Sequence, residues 1–163
     1  MSRRSVKENK SAYQLSREAA GLTREAAEEL TFISSDRIER IESGRSAPHP
    51  DEVLAMERGY CDASLTNYFC THECPIGMKY VTEARLSSLP QLTVELLSAL
   101  HAMDDEKDGL IDISVDGRVT GGEREQFDRI LTKLAALDRS IRGMRMWLED
   151  AMMNGGMEES QGQ

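Results

Sequence analysis

The sequence predicts an all-α protein, and three observations lead to this prediction. Aromatic residues make up only 5% of the 163 residues, hydrophobic residues reach 39%, and there are four prolines. The helix-favouring residues Leu, Ala, Met, Glu and Arg are common. In several segments apolar side chains recur every three or four positions, which is the period of a helix. The pattern indicates an N-terminal group of short helices followed by a helical hairpin whose last helix is long and coiled-coil-like.

Residues 1–10 form a predicted basic arm with four Lys or Arg side chains. The net charge of the chain is −9, yet residues 1–50 carry nine Lys or Arg against eight Asp or Glu, so the acidity lies in the remainder. Because attraction to DNA depends on local charge, the acidic total does not exclude a nucleic-acid partner. A short charged terminus is equally typical of a disordered segment.

The stretch from Leu22 to Gly44 is predicted to contain two short helices joined by a tight turn. In the first helix Leu22, Ala26 and Leu30 share one face and are predicted to point inward. Thr23 is a suitable N-cap for this helix, and Gly44 is suited to end the second one.

The second of these helices begins at Ser34, which offers a new N-cap. Ile38 and Ile41 are predicted to point inward together with Ile33, which leaves the residues between them on an outward face. Two short helices packed in this way form a helix-turn-helix.

The segments AAGLTREAAEEL, IS and RIERIESGR resemble the helix-turn-helix of the lambda-repressor and Cro type, an XRE-like family of transcriptional regulators. The resemblance covers roughly residues 11 to 70. It implies a five-helix DNA-binding domain, placed here at 11–77, whose second motif helix lies in the major groove. In one place the chain departs from the family. Thr31 and Phe32 stand where the family usually has Leu-Gly, so the positive φ that Gly supplies must come from another residue or another geometry.

Three further helices complete this predicted domain. The first spans residues 11–20 and directs Leu15 inward. The fourth begins at Pro50 and ends at Gly59, and Asp62 caps the fifth.

The predicted DNA contacts follow from the packing of the second motif helix. Because its isoleucines face inward, its remaining side chains can reach base edges or phosphates, and Arg is well matched to guanine O6 and N7. The start of the preceding helix is expected to contact the DNA backbone. The predicted DNA-binding residues are Thr23, Arg24, Ser34, Ser35, Asp36, Arg37, Arg40 and Arg45.

A rival interpretation rests on Asp36, Glu39 and Glu42, which place three carboxylates on the same helix. Phosphates would repel these groups, although a carboxylate can accept a hydrogen bond from cytosine N4. The alternative is a protein-interaction module that uses the helix-turn-helix scaffold without DNA binding, with a metal or redox response as an option.

The Cys-rich end of the domain offers candidate metal ligands in Cys61, Cys70, His72 and Cys74. Such soft ligands hold zinc or an iron–sulfur cluster. The spacing matches no standard zinc pattern, and three cysteines also fit buried thiols or redox-sensitive ones.

A connector is predicted at 78–91, and a helical dimerisation or sensing module at 92–153. Within this module the segment DISVDGRVTGGE has the spacing of a calcium loop. The competing interpretation is a turn followed by a capping box from Thr120 to Glu123 that opens the next helix. The candidate calcium ligands are Asp112, Ser114, Asp116 and Glu123.

The segment 123–153 is predicted to be one long helix with a heptad seam. A helix of this length needs a partner, either the preceding helices of the same chain or a second chain, and a homodimer is therefore expected. The predicted seam residues are Phe127, Ile130, Leu134, Leu137, Ile141, Met144, Leu148 and Ala151.

These patterns together favour a sequence-specific DNA-binding transcriptional regulator over an enzyme, because the three histidines are scattered and no nucleophile or phosphate-loop motif occurs. We expect double-stranded DNA as the partner. No apolar run approaches the roughly 20 residues of a membrane span and the N-terminus lacks a signal sequence, so a cytoplasmic location and no membrane association are expected. Residues 154–163 are predicted to be a disordered tail.

Overall fold

The computed structural model describes residues 10–115 and 117–155. These residues form helices and connecting turns, with no strand among them, so the all-α prediction is confirmed. The predicted arm up to residue 9 and the predicted tail from residue 156 lie outside the described residues. The helices of the described part are α1 (Ala12–Ala19), α2 (Arg24–Thr31), α3 (Ser35–Glu42), α4 (Pro50–Tyr60), α5 (Ser64–His72), α6 (Pro75–Tyr80), α7 (Leu89–Asp104), α8 (Lys107–Ser114) and α9 (Arg124–Met153).

The chain divides into two compact units. The first comprises the chain as far as Val81 together with the segment from Glu149 onward, and the second runs from Thr82 to Leu148. Helices α1 to α6 therefore belong to the first unit, while α7, α8 and most of α9 belong to the second. None of the helices in the described ranges is both long and apolar enough to span a membrane.

Side-chain caps define where the first three helices begin. The hydroxyl oxygens of Ser11, Thr23 and Ser34 accept hydrogen bonds from the backbone N–H three residues further on, at 3.2 to 3.3 Å. Each cap satisfies one of the N–H groups that a helix leaves unpaired in its first turn. The predicted caps at Thr23 and Ser34 are confirmed.

The core of the first unit is built on α1 to α5, and its inward faces differ in part from those predicted. Ile33, Ile38 and Ile41 are buried as predicted. Leu15 and Leu30, which were predicted to point inward, are each 53% exposed. The buried core residues of this unit are Tyr13, Ala27, Ile33, Ile38, Ile41, Val53, Met56, Tyr60, Leu65 and Phe69.

The end of the first unit contains a helix that the sequence did not reveal. α4 continues one residue beyond Gly59 and ends with Cys61 in the left-handed conformation, at φ 52°. After α5 the chain turns directly into α6, whose first residue is Pro75 and whose N-cap is Cys74. The buried Gly77 of α6 packs directly against the backbone of Cys70 on α5.

The second unit contains α7, α8 and α9 up to Leu148. The break between α7 and α8 falls at Asp105 and Glu106, and Gly109 lies within α8. Before α9 the carboxylate of Glu123 accepts hydrogen bonds from the backbone N–H and the hydroxyl of Thr120, at 2.9 and 2.6 Å. The Thr120–Glu123 contact of the predicted capping box is therefore present, but it lies in the turn before α9, and Thr120 is not the N-cap of this helix.

Candidate nucleic-acid interface

The turn between α2 and α3 is made by Phe32, Ile33 and Ser34. Phe32 adopts the left-handed conformation, with φ 58° and ψ 23°, and its N–H donates to the carbonyl of Glu28 at 2.9 Å. Of the two alternatives left open for this turn, another residue or another geometry, the structure shows the first, because Phe32 supplies the positive φ. The Phe32 side chain is 94% exposed, while Ile33 is buried and anchors the turn to the core.

Two side chains of α2 fix the path of this turn. The hydroxyl of Thr31 donates to the carbonyl of Ala27 at 2.7 Å and accepts from the N–H of Ile33 at 3.3 Å. The carboxylate of Glu28 accepts from the N–H of Ser35 at 2.8 Å, at the N-terminal end of α3. These bonds hold α3 in a defined orientation relative to α2.

Glu42 lies at the centre of a buried ion cluster that joins α1, α2 and α3. Its carboxylate accepts from the guanidinium of Arg17 at 2.5 and 3.1 Å and from Nε of Arg24 at 2.9 Å. The Glu42 side chain is 1% exposed. Burial is the largest single effect on Arg17 and lowers its pKa, but the hydrogen bond to Glu42, the charge of Glu42 and weaker interactions together raise the pKa above its usual value. With two arginines and one carboxylate, the cluster keeps one net positive charge.

Arg37 connects α3 to α4. Its guanidinium donates to both carboxylate oxygens of Glu52, at 2.7 and 2.6 Å, and to the carbonyl of Ala47 at 3.0 Å. It also donates to the hydroxyl of Ser46. The hydrogen bond from Arg37 lowers the pKa of Glu52. The predicted base-reading Arg37 is therefore engaged inside the domain, which the sequence pattern did not indicate.

The outward face of α3 is formed by Ser35, Asp36, Glu39 and Arg40. Arg45 pairs with Glu39 and also donates to the hydroxyl of Ser43 at 2.9 Å. Within the described residues the guanidinium of Arg40 is exposed and has no hydrogen-bond or ion-pair partner. Arg40 is therefore the arginine of α3 that is available to an external anion.

Thr23 and Arg24 lie at the N-terminal end of α2, where the expectation from the sequence was a contact with the DNA backbone. Thr23 serves as the N-cap and remains exposed, and the Arg24 side chain keeps 37% of its surface exposed although it contacts Glu42. Helix N-termini favour nearby anions, so this end of α2 is electrostatically suited to a phosphate.

The buried partner of Arg17 was missed by sequence reasoning, although a signal for it exists. Glu42 is four positions after Ile38 and one after Ile41, so it falls on the inward face of α3. A carboxylate on an inward face requires a cation nearby, because an unpaired buried charge is costly. The partner itself, on α1, cannot be identified from local spacing.

The candidate metal ligands are not brought together. No group of three or more His, Cys, Asp or Glu side chains suited to a metal ion occurs within residues 10–115 and 117–155. Cys61 is exposed, Cys74 accepts from the N–H of Gly77 at 3.4 Å, and the ring of His72 stacks on Tyr68. Cys70 packs against the core of the first unit.

The candidate calcium loop has a different local structure from that predicted. Asp112 and Ser114 lie within α8, where the hydroxyl of Ser114 donates to the carbonyl of Ile111 at 2.8 Å. Glu123 is engaged with Thr120, and Asp116 lies outside the described residues. A calcium loop cannot have its first and third positions in a regular helix, because those residues must converge on the ion.

Comparison with protein families matches residues 14–63 to a helix-turn-helix domain. This range begins within α1, contains α2, α3 and α4, and ends just before α5. No curated protein and no solved structure matches the chain in the corresponding comparisons. Residues 14–63 are thus a helix-turn-helix domain, as the spacing of the motif predicted.

Proposed function

We propose that this protein is a sequence-specific DNA-binding transcriptional regulator that acts as a homodimer. The observation that carries this proposal is the outward face of α3, which lies beside the exposed start of α2 in a helix-turn-helix domain. In this class of domain the second motif helix enters the major groove and the first contacts the backbone. Arg40 is then the best-placed side chain to read a guanine.

The charges around α3 support binding to phosphate more than the sequence suggested. Glu42 is neutralised by Arg17 and Arg24, and Glu39 is paired with Arg45. Of the three carboxylates that oppose a phosphate, Asp36 is the one with no ion pair within the described residues. The electrostatic objection to DNA is accordingly reduced to one side chain.

The proposal is tested by selecting bound fragments from genomic DNA and titrating the selected site at several salt concentrations. Arg40→Ala should cost about 1–3 kcal/mol on the selected site and relax the preference at one base pair. Arg58→Ala is the matched control, because Arg58 is also an exposed arginine of the same unit but lies on α4. Folded protein that shows no salt-dependent DNA binding would overturn the proposal.

A second candidate function is protein interaction through the same surface. The observation in its favour is that Arg37 is fully engaged with Glu52, Ser46 and Ala47, so α3 offers one free arginine and one free carboxylate. If DNA binding fails, an Asp36→Asn variant that loses capture of a protein partner, while Arg58→Ala retains it, would support this alternative.

The homodimer belongs to the proposal because duplex DNA presents two half-sites about 34 Å apart to proteins of this class. Support comes from α9, where several large apolar side chains remain exposed within a single chain. We also propose a cytoplasmic location, in which a DNA-binding regulator has access to the genome.

A further inference from the structure

The heptad seam predicted for α9 separates into two rows in the structure. Ile130 is fully buried, and Leu137 and Met144, which follow at seven-residue intervals, are half-buried. The other row contains Leu134, Ile141 and Leu148, again seven residues apart, and these are 39%, 42% and 43% exposed. The first row is the more deeply buried one, so the second row forms an apolar face that is still partly exposed within the described residues.

Two charged side chains flank this exposed row on one edge. Asp138 lies three residues before Ile141, and Arg145 lies four residues after it, which puts both on the same side of the helix. Leu134 and Leu148 lie seven residues before and after Ile141. When a second copy of the row runs in the opposite direction about Ile141, Leu134 falls opposite Leu148, and Asp138 falls within one residue of Arg145.

We propose that α9 pairs with α9 of a second copy in antiparallel orientation, centred near Ile141. Leu134 of one copy then packs against Leu148 of the other, and Asp138 meets Arg145 at both ends of the contact. In a parallel pair the equivalent edges of the two helices lie on opposite sides of the contact, so Asp138 of one copy could not reach Arg145 of the other and this charge complementarity would be unused. This inference rests on the proposed homodimer and assigns its face and its direction.

The two charges differ in their local contacts. Asp138 is bonded to Nε of Arg142 at 2.8 Å and to Thr82, which lowers its pKa, but 41% of its side chain remains exposed, so a further cation can approach it. The guanidinium of Arg145 has no hydrogen-bond or ion-pair partner in the part of the chain that the structure describes. When this face is paired with an antiparallel copy of itself, opposite charges meet. The face is therefore suited to a second copy of the same chain rather than to an unrelated protein.

Charge reversal tests the orientation in the absence of DNA, by sedimentation or light scattering of the full chain at tens of micromolar. Asp138→Arg and Arg145→Asp should each weaken the dimer at least tenfold, because every antiparallel pair then joins like charges. The double variant Asp138→Arg/Arg145→Asp should restore the dimer to within about threefold of wild type. Arg139→Asp is the matched control, because it makes the same charge change on another face of α9 and should leave the dimer unchanged.

The double variant also removes the bond between Asp138 and Arg142, so its recovery cannot come from that bond. If a single reversal unfolds the chain, cysteine replacements give the answer instead. A mixture of Leu134→Cys and Leu148→Cys chains should form the 134–148 disulfide, identified by mass spectrometry, in preference to either self-link. A monomeric wild type, single reversals without effect, or preferred self-links would overturn the inference. None of these outcomes bears on the Arg40 measurement, so failure of DNA binding is separately detectable.

Discussion

Glu42 brings one negative charge into the interior of the helix-turn-helix domain and meets two arginines there. Glu39, one turn earlier on the same helix, pairs with Arg45, whose side chain is 62% exposed. The two glutamates therefore allow a comparison of a buried and an exposed ion pair on one helix. Removing one partner of a buried pair is costly because the other charge is left uncompensated.

We expect Glu42→Ala to lower the free energy of unfolding by about 3–5 kcal/mol, the range for a broken buried pair. Glu39→Ala should cost less than about 1 kcal/mol, because its pair is exposed to solvent. Chemical denaturation followed by circular dichroism measures both. Equal losses in the two variants would show that the Arg17–Glu42 contact does not contribute as described.

Phe32 is strained in its backbone and makes little use of its side chain. A left-handed conformation costs a non-Gly residue about 1–2 kcal/mol, and replacement by Gly removes this strain. Gly also makes the unfolded chain more flexible, which offsets roughly 0.5–1 kcal/mol of the gain. Phe32→Gly should therefore raise the free energy of unfolding by about 0.5–1 kcal/mol. Phe32→Ala is the control, since it removes the ring but keeps the strain and should give no increase.

At the scale of single residues, local signals were predictable and tertiary ones were not. The caps Thr23 and Ser34 were identified because a cap depends on residues three positions away. The predicted burial of Leu30 was wrong. The next residue, Thr31, is buried instead, and its hydroxyl donates a hydrogen bond to the carbonyl of Ala27. The four-residue spacing of Leu30 from Ala26 predicted that Leu30 is part of the core. The sequence near this position does not indicate that Thr31 is buried in its place.

Helices α5 and α6 approach each other closely at Gly77. A Cβ atom at Gly77 would lie 2.1 Å from the carbonyl oxygen of Cys70, which is backbone and cannot rotate away. We expect Gly77→Ala to lower the free energy of unfolding by about 1–3 kcal/mol or more through overpacking. Gly121→Ala should leave it unchanged or slightly higher, because no atom lies within 4 Å of that position. A Gly77→Ala variant of wild-type stability would contradict the contact.

The Arg37–Glu52 pair connects α3 to α4 and makes their packing depend on pH. Glu52 has a pKa below its usual value of 4.5, with the hydrogen bond from Arg37 as the largest cause. A carboxylate with a lowered folded-state pKa contributes stability above its unfolded pKa and loses it as the pH falls through the folded value. The stability difference between wild type and Glu52→Gln should therefore be constant near neutral pH and shrink below pH 4.5. Denaturation curves over pH 3 to 7 test this, and a difference that grows in acid would contradict it.

The order of the helices was largely predictable, but two boundaries were not. α6 is six residues long, too short to show a periodic pattern, and its presence depends on Gly77 fitting against Cys70. The break after α7 occurs at Asp105 and Glu106, whereas Gly109 lies within α8, because a single Gly is tolerated within a helix. The calcium-loop spacing likewise did not reveal that Asp112 and Ser114 belong to the end of α8.

At the scale of the whole molecule, the second unit leaves much apolar surface exposed, which bears on how copies of the protein associate. Twelve large apolar side chains of this unit are exposed among the described residues. They are Leu86, Leu89, Val94, Leu97, Leu100, Ile111, Val115, Val119, Leu131, Leu134, Ile141 and Leu148. Exposed apolar surface of this extent is typical of a protein-interaction site.

We expect Ile141→Asp to give a folded monomer, because it places two like charges at the centre of the proposed pairing face. Binding to a selected inverted repeat should then fall by at least tenfold, while binding to an isolated half-site stays unchanged. Ala135→Asp is the control, since Ala135 is exposed on another face of α9. If a monomeric Ile141→Asp protein kept the wild-type affinity for the full repeat, DNA binding would not depend on dimerisation, which contradicts the proposal.

The heptad pattern of α9 predicted which residues are apolar at the right spacing, and all eight lie on one long helix. It did not show that Ile130 is buried within the chain whereas Ile141 remains exposed. The two rows are equivalent in sequence, and only the packing of the second unit distinguishes them.

The division into two units also separates the aromatic chromophores. All four tyrosines, Tyr13, Tyr60, Tyr68 and Tyr80, belong to the first unit, whereas the single tryptophan, Trp147, belongs to the second. Tryptophan emission, excited at wavelengths where tyrosine does not absorb, therefore follows the second unit. A melting experiment can monitor that unit in the unlabelled protein, and it needs no mutation or attached dye.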